Sequence, residues 1–240
     1  MKKKLYVCFL VISASIAITS VLLLIYISFY KTDISLRIGN RIGLIEHTPV
    51  RVDDNCVISW NNSLKQLNLD VDIVFFGNSI TAGGDFQSYF NDKKIINLGY
   101  IGEDTKGMLR RVEQIKSVKP EKVFMMAGIN GLKNQDESMF YTNYACLVDS
   151  ILNSVPNVKL YLESILPVTN ETHFCENNKI ILANRIIYHI AKERGLEYID
   201  LHQRYFYNGS LPPAWSYDGI HLVKEYYLEW YKGVSKYVYE

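Results

Sequence analysis

Hydrophobic and polar positions along this chain fall into three regimes. Leu5 to Tyr30 carries no charged residue and follows the basic start Met1-Lys2-Lys3-Lys4. Residues 31–68 are mixed, with Arg37, Arg41, Arg51 and the acidic pair Asp53-Asp54. From residue 69 onward, short apolar runs alternate with longer stretches whose apolar positions recur at helical spacing. The short runs predict five strands: Val71–Phe76, Lys94–Leu98, Lys122–Ala127, Val158–Ser164 and Leu196–Ile199. Between them, Met108, Leu109, Val112 and Ile115 predict a helix over Thr105–Val118, ended by Pro120. Tyr141, Tyr144, Leu147, Val148 and Ile151 place one face of a second helix over Ser138–Val155, stopped by Pro156. A third runs from Lys179 to Arg194 and closes at Gly195. The last, amphipathic and rich in aromatics, runs from His221 to about Tyr239, and Ser63–Leu67 closes a short helix before the first strand. Strands separated by helices of this length pair in parallel, so the expected fold is a three-layer α/β/α sandwich on a five-stranded parallel sheet.

The uncharged N-terminal run changes the picture of where this domain works. As a helix, Leu5–Tyr30 would be roughly 39 Å long, enough to cross a hydrocarbon core of about 30 Å with some tilt. Lysines stay on the cytoplasmic side, which puts everything after Tyr30 outside. The expected organisation is a cytoplasmic start (1–4), a transmembrane signal-anchor (5–30), a stem (31–68) and one folded domain (69–240), in a single-pass protein of the plasma or inner membrane. A cleaved signal peptide is the competing reading. It would use Ser15-Ile16-Ala17 as its cleavage site, but the apolar run continues well beyond that point.

Composition narrows the function classes. The net charge is +1, with Lys and Arg scattered, so no basic patch points to nucleic acid. Of the four cysteines, Cys8 lies in the apolar run, and Cys56, Cys146 and Cys175 lack metal-site spacing; they allow one disulfide at most. With no H-E-x-x-H a zinc reading has no support, and the serine chemistry that its motifs suggest needs neither a metal nor an organic cofactor.

Four short motifs carry the chemistry. Gly77-Asn78-Ser79 follows the first strand, Asn97–Thr105 with Gly102 follows the second, and Gly128-Ile129-Asn130-Gly131 follows the third. Asp218-Gly219-Ile220-His221 precedes the last helix. Open α/β sheets keep their sites at the carboxyl ends of the strands, so all four should meet along one edge. A serine hydroxyl needs a base, and His221 is the candidate. Asp218, three residues earlier, is placed to orient its imidazole. The N–H groups of Ser79 and Gly102 and the side-chain amide of Asn130 form a candidate oxyanion hole. Each residue also has a plainer reading: Ser79 and Asp218 as helix caps, Gly102 and Asn130 as turn residues. Trp215 and Tyr217 stand before the last block, where they would either stack on a sugar or stiffen the loop. His189 falls within a helical pattern as a packing or surface residue, and His47, His173 and His202 have no partner at useful spacing.

In order and placement these blocks resemble those of the SGNH (GDSL-type) hydrolases, over roughly residues 69–240. Ser79, Gly102, Asn130 and His221 match the residues that give that family its name, and Asp218 matches the aspartate of its Asp-x-x-His block. Within the family the chain is most similar to the compact branch of platelet-activating-factor acetylhydrolase-like and carbohydrate acetylesterase proteins. The resemblance implies a flavodoxin-like sheet and a serine esterase acting on short-chain, notably acetyl, esters of a carbohydrate or lipid, with Ser79 as nucleophile and His221 as base. Two departures stand out: Asn78 replaces the aspartate of Gly-Asp-Ser, and Gly131 replaces the aspartate of Gly-x-Asn-Asp. An O-acetyltransferase acting on cell-envelope polysaccharide would share the site, and a non-catalytic glycan- or partner-binding domain would share the scaffold.

Overall fold

The computed structural model describes residues 54–67 and 69–240. The expected transmembrane run Leu5–Tyr30 and most of the stem lie outside these residues. Among the described residues no helix is long and apolar enough to cross a membrane.

Five strands form one parallel sheet: β1 (Ile73–Gly77), β2 (Ile95–Gly99), β3 (Lys122–Met126), β4 (Lys159–Glu163) and β5 (Glu197–Ile199). Their spatial order is β2-β1-β3-β4-β5, the flavodoxin-like order. Every residue of β1 and β3 is buried. That explains why their sequences read as continuous apolar runs rather than alternations. Phe75, Phe124 and Tyr161 are neighbours in register and stack across β1, β3 and β4 at centroid distances of 4.9 and 4.7 Å. This face is covered by α3 (Phe86–Tyr89) and α9 (Tyr227–Tyr239), through Phe86 on Phe75 and Tyr237 on Tyr161. α4 (Thr105–Leu109), α5 (Val112–Val118), α6 (Glu137–Ser154) and α7 (Asn177–Glu193) form a contiguous helical layer, and the short α8 (His202–Tyr205) packs against α9. Arg111, at the junction of α4 and α5, lies against Phe76, the strand neighbour of Phe75 that points to the opposite face. α1 (Asp54–Leu67) packs on α5, buries Val57 and Leu64, and ion-pairs Lys65 with Glu113.

The structure departs from the sequence reading in three places. The helix expected over Thr105–Val118 is two helices, because Arg110 and Arg111 break it and the Arg111 side chain turns inward. The last helix begins at Tyr227, after a 3-10 turn at Lys224–Tyr226, and not at His221. Leu222 bridges back to Ser216, and Val223, in extended conformation, donates its N–H to the Trp215 carbonyl at 3.0 Å, so the chain is paired with itself where the helix was expected. Tyr141 of α6 is exposed, whereas Tyr144, Leu147, Val148 and Ile151 are buried as expected.

Register positions the site. Gly77 is level with Gly99 on β2 and with Met126 on β3, and Met126 is level with Glu163 on β4. The chain therefore leaves four adjacent strands at one height. Just beyond β1 lies α2 (Ser79–Ala82), a single turn pressed against β2. A Cβ on Gly99 would stand 2.2 Å from the Ala82 nitrogen, so only glycine permits this approach. Asn97 fastens the same loop, donating from Nδ2 to the carbonyls of Thr81 (2.8 Å) and Gly84 (2.9 Å).

Candidate active site

Asn78, only 1 % exposed, caps α2: its Oδ1 accepts from the Ile80 N–H at 3.0 Å. An amide oxygen serves this bond as a carboxylate would, so the turn survives the Asp-to-Asn departure. Ser79 follows, half-buried, with its hydroxyl facing the Asp218–His221 loop. Its backbone N–H, at the first position of the helix, is one of those a helix leaves without an internal partner.

The His221 ring bridges two partners. Nε2 lies 2.7 Å from Ser79 Oγ, and Nδ1 lies 2.6 Å from Asp218 Oδ2. Burial works against the charge on Asp218, but its contacts with the His221 side chain and with the N–H groups of His221 and Ile220 outweigh it. The carboxyl is held below its ordinary value. An ionised carboxylate only accepts, so the proton between the two groups belongs to Nδ1, and the Nε2 lone pair faces the Ser79 hydroxyl. Ser216 closes the loop from behind, donating from Oγ to the His221 carbonyl at 2.7 Å and accepting from the Gly219 N–H at 2.8 Å.

Gly102 sits in the turn after β2 with φ +75°, a left-handed conformation suited to glycine. Asn130 lies in a 3-10 turn, Ile129–Asn134, after β3. Its Nδ2 donates to the main-chain carbonyl of Glu103 at 2.8 Å. That bond uses one amide hydrogen and leaves the second for another acceptor. With Gly131 beside it in place of an aspartate, the Asn130 amide is held from the Gly102–Glu103 turn. Ser79, Gly102, Asn130, Asp218 and His221 are all half-buried.

Trp215 turns inward: it stacks on Tyr226 at 4.5 Å and meets Tyr205 and Tyr207 edge-on, which stiffens the loop. Tyr217 stays 46 % exposed and lies parallel to the His221 ring at 5.7 Å, leaving an aromatic surface beside the imidazole. His202 is buried against Phe206, and His189 is exposed on α7. Cys146 and Cys175 are free thiols. Among the described residues no group of three or more His, Cys, Asp or Glu side chains is placed to hold a metal ion.

The family model for GDSL-like lipases/acylhydrolases matches residues 75–227, a span that begins in β1 and ends at the first residue of α9. The chain belongs to this family. It is thereby a serine ester hydrolase of the SGNH type. Among solved structures, one similar chain is a provisionally assigned platelet activating factor from Streptococcus pneumonia. It has a TM-score of 0.68 and 22 % identity, over 76 % of this chain and 92 % of that one. Another is a GDSL-like lipase from Bacteroides thetaiotaomicron, with a TM-score of 0.67 and 21 % identity over 78 % and 98 % of the two chains. A catalytic mutant of an acetylxylan esterase from Geobacillus stearothermophilus follows at a TM-score of 0.55 and 15 % identity, over 71 % and 96 %. At such identities these likenesses carry the fold. No curated protein matches the chain.

One part of this GDSL-like site escaped the sequence. Arg111 is fully buried beneath the strand ends and paired with Glu103. The signal was available: in the apolar stripe of Met108, Val112 and Ile115, Arg111 falls three residues after the first and four before the last.

Proposed function

We propose that this GDSL-family protein is a membrane-tethered esterase, working outside the cytoplasm, that removes short acyl groups, acetyl foremost, from a carbohydrate or lipid through Ser79, His221 and Asp218. The carrying observation is the unbroken line of contacts from Asp218 Oδ2 through His221 to Ser79 Oγ, with distances of 2.6 and 2.7 Å. The uncharged run Leu5–Tyr30 behind three lysines supports the tether. The acetylxylan esterase among similar folds and the exposed Tyr217 ring beside His221 favour an acetylated glycan.

In the reaction, His221 Nε2 takes the Ser79 proton as Oγ bonds to the ester carbonyl carbon. The Asp218 carboxylate stabilises the resulting imidazolium. The oxyanion is received by the N–H groups of Ser79 and Gly102 and by the free amide hydrogen of Asn130. As the carbon–oxygen bond to the leaving alcohol breaks, Nε2 returns its proton to that oxygen. Water then gives a proton to Nε2 and attacks acetyl-Ser79. The carbon–Oγ bond breaks, the proton goes back to Ser79, and acetate leaves.

Ser79→Ala should lower hydrolysis of an aryl acetate by roughly 1,000-fold or more with its melting temperature retained, and should abolish labelling by a fluorophosphonate. Unchanged turnover would end the nucleophile assignment. Rates across acyl lengths should fall steeply beyond acetyl. Offering an acetyl donor together with a glycan distinguishes the transferase reading, in which the acetyl group appears on the sugar instead of as acetate.

A further inference from the structure

Beneath the strand ends lies a buried ion pair that the reaction above does not use. The Arg111 and Glu103 side chains are 0 % and 2 % exposed. Arg111 Nε and Nη2 both reach Glu103 Oε2, at 2.6 and 2.5 Å. The guanidinium lies under two rings, 4.0 Å from the centroid of Tyr100 and 4.7 Å from that of Phe76. Its remaining donors go to Gln114 Oε1 (2.9 Å) and to the main-chain carbonyls of Leu98 and Gly77, each at 3.2 Å.

Those endpoints are not scattered. Gly77 is two residues before Ser79, and its carbonyl also accepts from the Tyr100 N–H at 3.0 Å. Glu103 directly follows Gly102 in the chain. The Glu103 main-chain carbonyl is the group that takes one hydrogen from the Asn130 amide. All three groups proposed to receive the oxyanion therefore lead back, within two residues or one hydrogen bond, to a residue that this one guanidinium holds. A planar fork of five donors can fix the ends of β1 and β2 and the turn after β2 relative to one another, which a lysine ammonium or an apolar side chain cannot. Buried ion pairs are often replaceable by apolar residues without loss of stability, so stability alone gives little reason to place one here.

We infer that Arg111, paired with Glu103, is a positioning residue for the oxyanion hole: it sets the mutual geometry of the Ser79 and Gly102 N–H groups and the Asn130 amide without touching substrate. This rests on the esterase reading. Its prediction is specific to the tetrahedral state, because a misplaced oxyanion donor weakens transition-state binding more than ground-state binding.

The test begins with wild type and Ser79→Ala on an aryl acetate. Absence of Ser79-dependent hydrolysis overturns the esterase reading itself, independently of Arg111. Given that hydrolysis, Arg111→Lys and Glu103→Gln are compared with wild type well below their measured melting temperatures. Each should lower kcat by roughly 10- to 100-fold, leave KM within about threefold, and leave the pH midpoint of kcat in place. Affinity for a boronic acid, which forms a tetrahedral adduct on Ser79, should fall in parallel with kcat/KM. In an Asn130→Ala background the Arg111→Lys effect should shrink, because the donor it helps to hold is already gone. Should Arg111→Lys not fold, Glu103→Gln decides, since it keeps the main-chain carbonyl and the side-chain shape. A folded variant with kcat and boronate affinity within about twofold of wild type, or with KM raised and kcat intact, overturns the inference.

Discussion

The two sides of this GDSL-family site are built by different means. The side that would move the proton is assembled from short-range contacts. Asp218 and His221 are three residues apart, and a single Asp218 oxygen takes two backbone N–H groups of the same loop. The 2.7 Å contact from His221 to Ser79 is what joins this loop to the nucleophile across a long stretch of chain. The side that would hold the oxyanion is assembled at long range. Gly77, Leu98, Glu103 and, through Glu103, Asn130 converge on Arg111, which is wholly enclosed. A local turn orients one side chain and tolerates partial exposure. Donors drawn from three strand ends need a buried hub to fix their spacing. The two sides should therefore fail differently when altered.

The larger loss is expected on the proton side. Asp218→Asn keeps an oxygen for the Ile220 and His221 N–H groups, so the turn should persist. The new amide donates to His221 Nδ1, which puts the ring proton on Nε2 and removes the acceptor facing Ser79. We expect kcat to drop by roughly 10²- to 10⁴-fold with a native circular dichroism spectrum. A loss under about tenfold would reduce Asp218 to a turn-former. The variant also has a pH signature in stability. Asp218 is held below its ordinary value of 3.8. The stability it contributes is present above 3.8 and is lost as pH falls through its lower folded value. The gap in unfolding free energy between wild type and Asp218→Asn should be full near neutrality and close in acid.

On the amide side, Asn130→Ala removes one oxyanion donor and frees the Glu103 carbonyl. The expected cost is roughly 10²- to 10³-fold in kcat, with little change in KM and an unmoved pH midpoint. If the midpoint shifted instead, the two sides would be coupled through His221, and their separation would be wrong.

What the sequence revealed follows the same division. Ser79, His221 and Asp218 were legible because each sits in a block of three or four residues after an apolar strand or before the last helix. The central strands β1 and β3 were legible because parallel strands buried on both faces leave unbroken apolar runs. Arg111 was not, because its contacts depend on register: only when Gly77 lies level with Gly99 do the Gly77 and Leu98 carbonyls come within reach of one side chain. The start of the last helix was misread for a related reason. Aromatic periodicity in that stretch is real, but Leu222 bridges back to Ser216 and the Val223 N–H donates to the Trp215 carbonyl, so the chain is paired with itself up to the 3-10 turn before Tyr227. In sequence Trp215 reads equally as a sugar platform or as a stiffener of its loop, and its stack on Tyr226 decides for the second.

The smallest expected effect concerns a second long-range tie on the proton side. Tyr227, at the start of α9, donates from its hydroxyl to the Ile80 carbonyl at 2.7 Å. This joins the helix after His221 to the single turn that bears Ser79. The contact is buried and close, since a Cβ on Gly83 would stand 2.3 Å from the same hydroxyl. Tyr227→Phe keeps the ring and removes the bond, at a cost of about 0.5–1.5 kcal/mol. That corresponds to a fall in melting temperature of a few degrees, measured by calorimetry, with kcat within about threefold of wild type. Because Asn78 caps α2 and Asn97 clamps its far end, the Ser79 turn should hold its place without Tyr227. A loss of kcat beyond tenfold at unchanged stability would mean that α9 sets the Ser79–His221 distance, and that the proton side depends on distant structure as much as the amide side does.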